Sequence, residues 1–197
     1  KAEKIEFNSA SDALMALDNG KIDAFPTDES LYYAMRKERK NYSIVEEPMA
    51  TSTYGMIFGK GANQDLRAKL NAFLSDNKET VAVLEAKWFS EKEPTEFMSY
   101  DNLTGENGTL RIGVCSSVKP FVYMKDGKLT GYDIEILISF ARECGYKLDF
   151  EDTLFASVLT GVSMGTYDIG ASGFCITEER AENVDFSDVY HTENLVA

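Results

Sequence analysis

The residue types able to do chemistry are few, and their spacing limits what they can do. The only histidine is His191, and Cys115, Cys144 and Cys175 stand far apart with no Cys-x-x-Cys pair. A zinc site needs several such ligands and a Ser-His triad needs an imidazole, so neither is expected from a single histidine. Three cysteines do not make a disulfide framework. Cys144, on the apolar face of a helix pattern, reads as core, and His191 reads as structural. Beside the plain reading of Arg180 as a surface arginine, which its spacing alone favours, an anion site is available. Thr177 is followed by Glu178, Glu179 and Arg180 at the start of a short helix. There the Arg180 guanidinium can fold back over the helix N-terminus, beside the N–H of Cys175. A carboxylate takes a bidentate guanidinium and backbone N–H groups of this kind. The alternative is a surface arginine paired with Glu178 or Glu182. Asp28 opens a helix pattern over 28–37, where it can cap the helix or offer a carboxylate to a cation. Phe155 opens another pattern and, alone, reads as core.

The chain has 197 residues, 44% hydrophobic and 27% charged, with net charge −13. That is a globular composition whose sign excludes nucleic acid and an anionic membrane face as partners. The acid excess is uneven: residues 1–90 carry 12 bases and 14 acids, residues 91–197 carry 8 and 19. The shift suggests two units, or one unit and a fragment of another. No run of about 18 apolar residues is present. Residues 1–8 lack the apolar core of a secretory signal, so segments for export or anchoring are expected outside this chain.

These residues need elements to place them. Helix patterns occupy 10–19, 28–37, 66–74, 80–89, 133–144 and 155–164, with a helical turn beginning at 177–181. Strand patterns occupy 22–25, 42–45, 54–58, 110–114, 147–150 and 167–171, and a small hairpin turns at Asp126-Gly127. Residues 90–108 are polar, acid-rich and aperiodic, and read as a linker. Alternating strands and helices predict an α/β fold with a largely parallel sheet. There is also an internal echo. Residues 13–23 (ALMALDNGKID) and 158–168 (VLTGVSMGTYD) both run from a helix through a glycine stop into a strand with Asp at its second position. Each strand is followed by a loop, Pro26-Thr27-Asp28 or Ser172-Gly173-Phe174, and such loops at strand carboxyl ends hold ligands in open sheets. Two similar lobes with facing loops suggest a cleft.

Residues 109–197 resemble the first lobe of a periplasmic-type solute-binding protein of the polar amino-acid class. The matching stretches are LRIGVCSSVKPFVYMKDGKLTGYDIEI and FASVLTGVSMGTYDIGASGFCITEERAENVDFSDVYH. NGKIDAFPTDESLYYAMRK is similar to a strand and site loop of the family's second lobe. STYGMIFGKGANQDLRAKLNAFLSDNKETVAVLEAKWF is similar to its return strand and closing helices. The order departs from the family, because the late part comes first and the opening of the second lobe is missing. The fold class implied is α/β, with type II periplasmic-binding-protein-like lobes, incomplete and permuted. Residues 1–50 would be part of the second lobe of one unit. Residues 51–89 would be return strand and closing helices, 90–108 the linker, and 109–197 the first lobe of a following unit. A tandem segment is favoured over a circular permutant. Trp88 and Phe89 are expected to be buried against residues 109–197, within one chain or across a swapped dimer.

The resemblance also implies site roles. Arg180 clamps the carboxylate of an amino acid, beside Thr177. The carbonyl of Gly173 faces the ammonium, with Cys175 where a Ser or Thr is frequent. Asp28 matches the ammonium-binding acid of the other lobe, and in a tandem segment it would serve a different ligand from Arg180. Phe155 matches an aromatic wall. Cys115 and Val118 stand where the family often has Asp and an aromatic, which leaves the ligand's identity open. The function implied is a binding module, not an enzyme, with no cofactor. It would be an extracytoplasmic, membrane-tethered domain that closes on an amino acid and delivers it to the permease of an ABC transporter. The alternative is the sensing ectodomain of a signalling protein such as a sensor kinase.

Overall fold

The computed structural model describes residues 3–7, 10–30, 32–33, 42–45, 47–90 and 92–197. It divides into two compact units, residues 1–52 with 193–197, and residues 53–192.

In the first unit, helix α1 (Ala10–Asp18) buries Ala13 and Ala16 and stops at Gly20, whose φ of +64° is the left-handed stop expected of it. The expected strands at 22–25 and 42–45 are not formed. The chain pairs later instead, through β1 (Thr27–Asp28), which lies antiparallel with Thr27 opposite Val196 and Asp28 opposite Leu195. Of the helix expected over 28–37, residues 29–30 and 32–33 are helical, and 31 and 34–37 lie outside the described residues.

The second unit is built on a five-stranded mixed sheet. Its strands are β3 (Ile57–Gly59), β4 (Thr109–Val114), β8 (Lys147–Asp152), β9 (Ile169–Ala171) and β10 (Val184–Phe186), in the order β10-β3-β9-β4-β8. Strands β8, β4 and β9 are parallel, whereas β3 enters antiparallel between β9 and β10. A strand from early in the sequence therefore completes a sheet made of late ones. Successive residues leading into β3 serve opposite faces: Met56, just before the strand, and Phe58 join one buried cluster, Ile57 the other. Helices α2 (Gln64–Asp76), α3 (Lys78–Trp88) and α4 (Tyr132–Cys144) supply the first cluster, and α5 (Phe155–Ser163) the second. A sheet with parallel strands needs such cover on both faces.

Trp88 and Phe89 pack within this one chain. Trp88 is 4% exposed, its Nε1 donates to Glu135 at 3.0 Å, and its ring meets Phe97 and Tyr123. Phe89 stacks on His191 with centroids 4.0 Å apart, and Glu85 Oε1 lies 2.6 Å from His191 Nδ1. Phe97, Met98 and Tyr100 also pack on the larger cluster. A hairpin of β6 (Val122–Lys125) and β7 (Lys128–Thr130) turns through Asp126 and Gly127, both at positive φ, with β5 (Ser117–Val118) along its edge. Strands β2 (Ala50–Tyr54) and β11 (His191–Val196) each run through the unit boundary.

Candidate functional site

Parallel register decides which residues meet. Val114 at the end of β4 lies opposite both Asp152 of β8 and Ala171 of β9, so the three chains leave the sheet at the same end. The segments leaving there are Cys115 to Val118, Thr153 to Phe155, and Ser172 to Arg180. Seven of the eight residues singled out in the sequence therefore stand at one end of one sheet. Asp28, half-buried in β1, belongs to the other unit.

The loop after β9 is fixed at nearly every step. Ser172 Oγ accepts from the Cys115 N–H at 2.7 Å. Gly173 has φ +59°, and a Cβ there would stand 2.6 Å from the Phe121 ring, so glycine is required by both conformation and space. The Gly173 N–H donates to Asp133 Oδ2 at 2.8 Å. Phe174 is fully buried, and its carbonyl accepts from the Gly55 N–H at 3.1 Å. The Ile176 N–H donates to the Thr53 carbonyl at 2.8 Å. These two bonds flank an antiparallel bridge between Tyr54 and Cys175. In that arrangement the N–H and C=O of Cys175 itself point away from Tyr54.

The outward carbonyl of Cys175 accepts from Arg180 Nη1 at 2.8 Å. The guanidinium carbon lies 5.5 Å from the centre of the Phe155 ring, and Phe155 lies 4.5 Å from Phe174 in a tilted stack. Thr177 Oγ1 accepts from the Arg180 N–H at 3.2 Å and caps α6 (Glu178–Ala181). Arg180 is thus half-buried, over an aromatic ring, with one of its five donors engaged among the described residues. Among the described residues no carboxylate lies within ion-pair distance of it, so the pairing with Glu178 or Glu182 is not formed. Cys115 and Phe174 belong to the second core cluster, with Val118 and Phe155 packed against it. Cys115 Sγ is 3.1 Å from Ser117 Oγ. All three cysteines are free, and no group of metal-ligating side chains occurs among the described residues.

Asp133 was not singled out by its sequence pattern. It is completely buried, and Tyr190 Oη donates to its Oδ1 at 2.7 Å. Burial pushes its carboxyl up to about 6, against the opposing pull of Tyr190, the Gly173 N–H and His191. In sequence, Asp133 looks like an acid in a helix's first turn, which the helix dipole alone would explain. The signal that could have found it is an acid inside the apolar run YDIEILI.

Residues 110–197 match the family of bacterial extracellular solute-binding proteins, family 3. The arginine-binding extracellular protein ArtP of Bacillus subtilis (strain 168) is 35% identical over 95 residues, 47% of this chain and 37% of that protein. The ABC transporter glutamine-binding protein GlnH of the same organism is 31% identical over 99 residues, 49% of this chain and 35% of that one. The chain spans little more than a third of the length of these relatives. Among solved structures, an ancestral cationic amino acid solute binding protein, AncCDT-1, is 38% identical over 46% of this chain and 40% of its own, with a TM-score of 0.40. The resemblance to the polar amino-acid solute-binding class stands over the matched residues 110–197, and the fold is α/β as expected. The matching family and relatives are binding proteins. No helix among the described residues is long and apolar enough to cross a membrane.

Proposed function

We propose that residues 53–192 form one lobe of an extracytoplasmic amino-acid-binding module, in which Arg180 holds the ligand carboxylate. The observation that carries this is the half-buried Arg180 guanidinium, lying over Phe155 and facing no carboxylate among the described residues. A half-buried guanidinium with donors to spare is a ready partner for an anion. The outward N–H of Cys175 beside it supplies the second donor such an anion takes. The Gly173 carbonyl serves the ligand ammonium, Thr177 holds the turn that carries Arg180, and Phe155, Val118 and Cys115 line the wall toward its side chain. Asp28 would serve a ligand in the other unit. With relatives named for arginine and glutamine binding, one of them for an ABC transporter, the module delivers its amino acid to a membrane permease from a tethered position outside the cytoplasm. The chain is then a tandem segment, running from the end of one binding unit into the start of the next. A sensing ectodomain would use the same site.

The test is a titration of the isotopically labelled chain followed by nuclear magnetic resonance. L-arginine and L-glutamine at millimolar concentration are expected to shift the Cys175 amide and the Arg180 Nε–H. Agmatine, which is arginine without its carboxylate, is expected to leave both unmoved. Equal shifts from arginine and agmatine, or none from either amino acid, would count against the reading. Affinity is expected to be weak, because a single lobe offers only part of an enclosing site.

A further inference from the structure

We infer that Asp133 is the positioning residue of the site loop: its buried carboxylate ties the Gly173 peptide to Tyr190 and loosens that tie when it takes up a proton. This rests on the solute-binding reading for its consequence, since the loop it holds is the one that presents Gly173, Cys175 and Arg180.

The geometry is a closed bridge. Oδ2 takes the Gly173 N–H at 2.8 Å and Oδ1 takes the Tyr190 hydroxyl at 2.7 Å, with the side chain fully buried. Tyr190 is itself fixed at both ends of its peptide: its N–H donates to the Tyr54 carbonyl at 3.1 Å, and its carbonyl accepts from Tyr132 Oη at 3.0 Å. The loop's other anchors, from Cys115, Gly55 and Thr53, are neutral. Apart from Arg180, Asp133 is the one charged group among the described residues that bonds to it. Two carboxylate bonds of this kind are charge-assisted and about twice as strong as neutral ones, so protonation roughly halves their hold.

The titratable groups around it are accounted for. Tyr132 and Glu135 share its helix, and Glu135 is paired with Lys87 at 2.7 Å. Tyr190 and His191 come from the chain entering β11, Tyr54 from β2, and Glu85 of α3 holds His191. Burial, opposed by Tyr190, the Gly173 N–H and His191, pushes the carboxyl up to about 6, so the proton arrives at mildly acidic pH. Burial favours the neutral form of this carboxyl, and the bonds from Gly173 and Tyr190 favour the ionised form.

The test is amide hydrogen exchange at Gly173 in the whole chain without ligand, corrected for intrinsic exchange. Between about pH 7.5 and about pH 5, protection at Gly173 is expected to fall roughly threefold to tenfold as the bond loses its charge. Asp133→Asn keeps the shape and an acceptor for the Gly173 N–H, and its protection is expected to stay level across the same range. Tyr190→Phe removes a bond that favours the ionised form, and the fall is expected to begin at higher pH. A wild-type profile that is flat, or one that Asp133→Asn reproduces, would overturn the inference. In a parallel titration, L-glutamine affinity is expected to follow the Gly173 profile in the wild type only. Failure of L-glutamine to bind at any pH would tell against the solute-binding reading, while the exchange profile still decides the role of Asp133.

Discussion

At the scale of single residues, Gly173 is doubly constrained, by its φ of +59° and by the Phe121 ring 2.6 Å from where a Cβ would stand. Gly173→Ala is therefore expected to destabilise the lobe by about 1–3 kcal/mol, read from urea unfolding. An unchanged midpoint would show that the ring moves aside freely. Asp133 makes a prediction with a definite sign. Its carboxyl is raised from 3.8 to about 6 on folding, so the folded state binds the extra proton in that window. Its contribution to stability is greatest at the acid end and falls as pH rises through 6, a loss on the order of 2–3 kcal/mol at neutral pH. Compared with wild type, Asp133→Asn is expected to gain stability progressively from about pH 4.5 to about pH 7.5. A constant difference across that range would contradict the assignment. At this scale the sequence was partly legible. Thr177 and Arg180 declare a capped turn by their spacing, whereas Asp133 depends on what closes over it. Its partners, Gly173 and Tyr190, are 40 and 57 residues away.

Elements were legible where their period was long and their stops explicit. The echo of two helices ending at a glycine is real in both places, with φ +64° at Gly20 and +75° at Gly165. Beyond the glycine the two copies diverge. After Gly165 comes β9, held on both sides in a sheet, whereas after Gly20 the strand expected at 22–25 is absent. The docking of α3 on α4 was expected from the resemblance, which put Trp88 against residues 109–197, but the buried side chain that organises it was not. Glu135 is fully buried and accepts from Lys87 Nζ, Trp88 Nε1 and the Met98 N–H at 2.7, 3.0 and 2.9 Å. Glu135→Ala would leave an indole N–H, an ammonium and a peptide N–H without their acceptor. It is expected to cost about 3–5 kcal/mol. Trp88 is the only tryptophan, so its emission should shift to longer wavelength as α3 loosens. Emission and stability both unchanged would mean that the apolar contacts alone hold α3.

For the whole molecule, burial of Trp88 and Phe89 against residues 109–197 was expected within one chain or across a swapped dimer, and the sequence order left that choice open. Residues 53–89 and 109–192 fall in one compact unit, with β3 between β10 and β9 in a sheet made otherwise from later strands. The stretch 90–108 shows no period, yet Phe97, Met98 and Tyr100 pack on the core, too sparsely spaced to announce themselves. Docking within one chain predicts that the buried, short-wavelength emission of Trp88 persists on dilution to the lowest measurable concentration, in a species sedimenting as a monomer. A swapped dimer would show Trp88 emission and mass changing together as concentration falls.

The central claim is that Arg180 awaits a carboxylate. Its most direct test is the L-arginine titration repeated on Arg180→Ala, read at the Cys175 amide and by calorimetry. Loss of a bidentate, charge-assisted contact should remove on the order of 2–4 kcal/mol of binding, which would abolish a weak response altogether. An Arg180→Ala chain that binds L-arginine as the wild type does would contradict the account.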